Sequence, residues 1–258
     1  MRVVSMSHSQ LTSKYNNKTY DIEIYIPETE LPSEGLPIYY VLDGLYYFSF
    51  VRDVVRIQQL NRGKTGVNPA IVIGICHQKE EMREQRFIDF TAPAKHVIMP
   101  ERAKGKLPSG YGGAERFFKF IELELKPYIE QHYSVNRQAQ YLFGHSLGGY
   151  FALWCLYTNP RAFKNYIAIS PSVWWNSEEL LNMAHLLVEN GASHGKHHVF
   201  IAAGEHEGFM VEDANRIRAL LNEHHLSTEL YIAPDENHAS VVPTVVSRAV
   251  RFCSRNEK

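Results

Sequence analysis

The chain has 258 residues, 45% of them hydrophobic and 21% charged, enough to bury a large core and suited to a single α/β domain. Its formal net charge of -1 supplies no overall field to draw in nucleic acid or an anionic membrane, and no run of five like charges occurs. Three cysteines, Cys76, Cys155 and Cys253, are few, odd in number and set in apolar surroundings, so they read as reduced core residues, not as disulfides or a metal site.

The opening segment Met1 to His8 has no apolar stretch of signal-peptide length, and nothing later approaches the roughly 20 apolar residues of a membrane span. A cytoplasmic location is the expectation. Tyr20 to Ile26 alternates as a half-exposed strand does, while Ile38 to Leu42 and Ala70 to Ile75 are short continuous apolar runs of the kind buried on both faces. From His77 to Gly113 the chain turns polar and carries Pro93, Pro100, Gly105, Pro108, Gly110, Gly112 and Gly113. That is too long for an ordinary connection, and it reads as a long loop insertion that contacts substrate. Glu115 to His132 has helical period, with Phe117, Phe118, Ile121, Leu125 and Ile129 on one stripe. Four more apolar runs follow at Ala139 to Phe143, Tyr166 to Ile169, Val199 to Ala203 and Glu229 to Ala233. Strand and helix alternate, so the fold class is α/β, a mostly parallel central sheet with helices on both faces.

The hexapeptide Gly144-His145-Ser146-Leu147-Gly148-Gly149 joins the run Tyr141 to Phe143 to a helix-like stretch beginning Tyr150-Phe151-Ala152. A serine at a strand-to-helix turn, with glycine two places to either side, is the pattern of a nucleophile elbow, whose strained serine projects its hydroxyl into the open. A hydroxyl is a poor nucleophile near neutral pH and needs a base within hydrogen-bond reach. His238 is the best placed of thirteen histidines, because it follows the last predicted strand in the loop Pro234-Asp235-Glu236-Asn237-His238. Two acids follow the strand Val199 to Ala203, Glu205 and Glu207, and either could orient the imidazole; Asp235 and Glu236 are weaker candidates, being so close to His238 in sequence. Trp174 and Trp175 end a strand on the same side, one as core and the other as a wall of an acyl or aryl pocket.

Several further segments carry a family resemblance: Tyr40-Val41-Leu42-Asp43-Gly44, Arg86-Phe87-Ile88-Asp89-Phe90-Thr91, Ser170-Pro171-Ser172-Val173-Trp174-Trp175, Gly204-Glu205-His206-Glu207 and Asn237-His238. With the Ser-acid-His order, the chain resembles the branch of α/β-hydrolases that includes esterase D, feruloyl esterases and enterochelin-type siderophore esterases. The resemblance covers nearly the whole chain, and the Ser-Pro-Ser-Val-Trp-Trp and Gly-Glu-His-Glu segments lean toward siderophore esterases. It implies a serine carboxylester hydrolase working through an acyl-enzyme, with Ser146 as nucleophile, His238 as base and no metal or cofactor. By the three-residue offset from Gly204 it favours Glu207 as the acid, with Glu205 as the alternative. It implies oxyanion donors at the N–H groups of Leu147 and, after the Asp43-Gly44 turn, Leu45. The expected partner is a small-molecule ester, either a siderophore-type lactone or a small acyl ester; Arg86, with Arg52, Arg56 and Arg83, would suit an anionic one. An acyltransferase of the same fold and a non-catalytic binding protein are the alternatives.

Overall fold

The computed structural model describes residues 5–101, 108–192 and 197–255. Eight strands form one sheet: β1 (Ser5–Thr12), β2 (Thr19–Ile26), β3 (Leu36–Leu42), β4 (Ile71–Cys76), β5 (Val135–His145), β6 (Asn165–Ile169), β7 (His198–Gly204) and β8 (Ser227–Ala233). Their spatial order is β1-β2-β4-β3-β5-β6-β7-β8. The first two pairings, β1 with β2 and β2 with β4, are antiparallel, and from β4 to β8 every pairing is parallel.

Strands β3, β4 and β6 are buried along their whole length and β5 from Ala139 onward, and the period of two sorts their side chains between two cores. On β3, Tyr40 and Leu42 join the core under α3 (Met82–Phe90), α4 (Ala114–Phe120), α5 (Lys126–His132), α6 (Leu147–Thr158), α7 (Trp175–Asn182), α8 (His185–Glu189) and α9 (Phe209–Glu223). Tyr39 and Val41 face the other core, closed by α1 (Gly44–Gln59), which the short α2 (Arg62–Thr65) follows, and by α10 (Val241–Arg255). Helix α6 runs through the first core and is buried from Leu147 to Tyr157, which is why it is apolar all round and lacks an amphipathic stripe. All three cysteines are buried, and no helix among the described residues is long and apolar enough to cross a membrane.

Three expectations need correction. The segment 77–113 is not a continuous loop: α3 occupies Met82–Phe90. Its polar sequence hides a helix that buries Gln85 and Asp89, because Asp89 accepts hydrogen bonds from Tyr20 Oη (2.7 Å) and Gln85 Nε2 (2.9 Å) and lies 3.0 Å from His77 Nε2. Residues 102–107, Gly105 included, lie outside the described residues. Secondly, the stretch 115–132 is α4 and α5 joined by a π-helical Ile121–Leu125, with Phe118 only partly buried beside the stripe Phe117, Ile121, Leu125 and Ile129. Finally, Ser5–Thr12, which the sequence reading did not place among the strands, is an edge strand.

Candidate active site

Strand β5 ends at His145 and α6 begins at Leu147, so Ser146 occupies the turn between them with φ 58° and ψ -118°. An L-residue held at positive φ costs on the order of 1–3 kcal/mol, which the surrounding structure must impose. Gly144 explains how the turn closes: a β-carbon there would stand 2.1 Å from the Gly148 carbonyl oxygen. The Ser146 N–H is tied to the Ile169 carbonyl at 3.0 Å, which fixes the turn against β6, and Oγ lies 3.3 Å from Ser172 Oγ. Leu147 is the first residue of α6, where helical geometry leaves the amide without an intrahelical acceptor.

The loops after β7 and β8 bring Glu207 and His238 together. Glu207 Oε2 lies 2.7 Å from His238 Nδ1, while Oε1 accepts the Ser170 hydroxyl (2.5 Å) and the Gly204 N–H (2.6 Å). Burial pushes the Glu207 carboxyl up, but the hydrogen bonds from His238, Ser170 and Gly204 outweigh it and hold the carboxyl below its usual range. The Glu207 side chain is 1% exposed and that of His238 45%, so the acid is enclosed and the imidazole reaches solvent. Glu205 does not share this contact. It is exposed and accepts the Asp235 N–H at 3.0 Å. Glu236 accepts a hydrogen bond from the Thr244 hydroxyl instead of approaching the imidazole.

A cavity of about 480 Å³ opens over Ser146 and His238, walled by Asp43, Tyr46, Tyr47, Phe50, Arg86 and His145, with Ala239 and Pro243 on the α10 side. Asp43 closes β3 in the left-handed conformation (φ 52°, ψ 44°), and α1 starts at the next residue. Its carboxylate is 1% exposed and accepts from Arg86 Nε at 2.6 Å. Burial opposes the charge of Arg86, but Asp43 more than offsets this and raises its pKa. Arg86 reaches the cavity because the buried Asp89 network clamps α3 one turn further on. Leu45 sits in the first turn of α1, so its amide, like that of Leu147, has no intrahelical acceptor.

The pocket expectation for the tryptophans is not met. Trp175 is fully buried against Phe87 and Tyr111, Trp174 is partly buried beside it, and neither lines the cavity. Of the four arginines only Arg86 does: Arg52 and Arg56 pair with Asp53 on α1, and Arg83 is exposed. The sequence reading missed Ser170 and Ser172, whose signal was their place at the carboxyl end of a predicted strand, and the aromatic wall of α1, whose spacing looks like ordinary helix packing. A larger depression of about 820 Å³, lined by residues such as Gly35, Asn68 and Lys164 at the amino-terminal edge of the parallel strands, contains none of these groups. Among the described residues, Glu205, His206 and Asp235 bring metal-ligand atoms within 4.8 Å of one another; all three are exposed and outside the cavity lining.

Residues 13–239 match the family model described as "Putative esterase". The chain is 39% identical over 251 residues to a ferri-bacillibactin esterase of Bacillus subtilis (strain 168), covering 94% of this chain and 87% of that one. It is 30% identical to a siderophore enterobactin esterase of Emericella nidulans, over 83% and 81% of the two chains. The crystal structure of the BES protein from Bacillus cereus superimposes with a TM-score of 0.87 at 38% identity, over 98% of both chains. With the family model spanning most of its length, and with a mostly parallel sheet that carries a serine on a strand-to-helix elbow, this chain belongs to the esterase family of the α/β-hydrolases.

Proposed function

We propose that this esterase works by an acyl-enzyme mechanism in which Ser146 is the nucleophile, His238 the general base and Glu207 the acid that orients it. The observation that carries this reading is the 2.7 Å contact between Glu207 Oε2 and His238 Nδ1 beside a cavity that also holds Ser146. His238 removes the Ser146 proton as Oγ attacks the ester carbonyl, Glu207 stabilises the resulting imidazolium, and the imidazolium then protonates the departing alkoxide. The first-turn amides of Leu45 and Leu147 receive the oxyanion. Water, activated by the same imidazole, completes the cycle, and the 45% exposure of His238 supports water as the acceptor over a second alcohol.

The substrate we infer is a siderophore-type ester, on the strength of the ferri-bacillibactin and enterobactin esterases to which the chain is similar. Among the described residues Arg86 is the guanidinium that lines the cavity, and its charge is partly matched by Asp43, so its hold on an anionic ferric complex would be a screened one. The test is kcat/KM for a ferric catecholate trilactone and for a small activated ester at low and high ionic strength. Cleavage of the trilactone should fall with salt while the small ester stays nearly unchanged. No trilactone cleavage at any salt would remove the siderophore reading and leave a general carboxylesterase.

A further inference from the structure

His145 stands immediately before the nucleophile and has no part in the chemistry above, yet it is a polar ring in a place built for an apolar one. It shares the parity of Tyr141 and Phe143 on β5 and so faces the α1 side of the sheet. Only 6% of the residue is exposed. Its Nδ1 lies 2.9 Å from Tyr47 Oη, and the Tyr47 ring also packs at 6.0 Å from Phe143. On the other side its ring centroid is 4.5 Å from that of His238, with 39° between the planes. The His238 main chain approaches the imidazole, but Nε2 is buried without a hydrogen bond of ordinary geometry. Burying an imidazole that is only half satisfied costs stability that a leucine or phenylalanine would not, so an offsetting role is called for.

We propose that Tyr47 and His145 form a positioning pair: the Tyr47 hydroxyl fixes the His145 ring, and that ring, packed at a tilt against His238, holds the base in the plane in which Nδ1 meets Glu207. His145 and Tyr47 are not catalytic residues, because the reacting atoms lie on Ser146 and His238. The pair links α1, the helix that opens with the proposed oxyanion turn, to the loop that carries the base. Its members stay uncharged. Burial, then His238 and Arg86, push His145 down to about 3, while burial and Asp43 push Tyr47 up to about 12. A neutral aromatic ring against His238 tolerates the imidazolium formed there during acylation, where a second cation would oppose it.

The inference rests on the proposed triad, so its test needs readouts that fail separately. Tyr47→Phe and His145→Phe each remove the bond and keep the rings. Each should lower kcat on a small activated ester about tenfold, the size of one lost orienting hydrogen bond, with KM nearly unchanged. The double variant should be no worse than the worse single, since both act through one contact. By proton NMR, the downfield resonance of the His238–Glu207 hydrogen bond should broaden in both variants. Wild-type kcat with an unaltered resonance, or losses that add in the double variant, would overturn the proposal. An inactive wild type that still shows the resonance and its broadening would instead count against the esterase triad and leave the positioning pair standing.

Discussion

The turns that end β3 and β5 are built alike and used differently. The two strands are parallel neighbours, each turn holds a non-glycine residue at positive φ, and each is followed at once by a helix. Glycine makes close packing possible at both. A β-carbon on Gly144 would strike Gly148, and one on Gly44 would lie 2.7 Å from Cys76 Sγ and 2.8 Å from the Gly74 backbone. At the β5 turn the strained side chain is a small hydroxyl at a cavity. At the β3 turn it is a carboxylate engaged by Arg86 and nearly sealed from water. In the proposed mechanism the side chain at the β5 turn is the nucleophile, whereas at the β3 turn the side chain anchors Arg86 and any part in the chemistry falls to the backbone amide of Leu45.

Substitution should separate the two uses. Ser146→Ala should lower ester turnover by at least about 10³-fold and leave the fold untouched, because it removes the nucleophile and alanine meets the same backbone requirement. Near-native hydrolysis with a clean Ser146→Ala preparation would contradict this. Glu207→Gln should come next, losing about 10²-fold or more in kcat, while Glu205→Gln stays within about twofold. A larger loss at Glu205 would transfer the orienting role to it. At the other turn the effect moves from rate to stability. Arg86→Met leaves Asp43 buried without its partner and should cost on the order of 3 kcal/mol in denaturant unfolding. A variant as stable as the parent would mean that Asp43 does not depend on Arg86.

The smallest effect concerns pH. Glu207 is held below its ordinary carboxylate pKa in the folded protein, so its contribution to stability is complete above the unfolded value of about 4.5 and fades as pH falls through the folded value. Glu207→Gln should flatten that acid limb of stability, whereas Glu205→Gln should not. Urea midpoints measured from neutral pH downward would read it, and an unchanged limb in Glu207→Gln would place the acid sensitivity elsewhere.

The β5 turn was legible in the sequence because its backbone requirement leaves glycines at fixed offsets around a serine, and the central strands were legible because burial on both faces makes them continuously apolar. The β3 turn could be proposed only by resemblance, since Asp43-Gly44 is a pattern that ordinary turns share. Helix α3 stayed hidden because it buries Gln85 and Asp89 through hydrogen bonds, which hydrophobic periodicity does not register. Strand β1 stayed hidden because an edge strand paired only to β2 need not be apolar. The tryptophans misled for the opposite reason: their bulk suited a pocket wall, yet the core took Trp175 completely, and tyrosines and a phenylalanine of α1 line the cavity instead. Side-chain identity told which groups could react; only the packing told which ones meet.

The central claim is that Ser146 is an activated nucleophile whose activation comes from His238. Treating the protein with a fluorophosphonate and locating the adduct by peptide mass spectrometry addresses it directly, since phosphonylation requires an activated hydroxyl. The account predicts a single stoichiometric adduct on the peptide containing Ser146, formed rapidly in the parent protein and slowed at least about 10²-fold in His238→Ala. An adduct on another residue, or labelling of Ser146 at the same rate without His238, would contradict it.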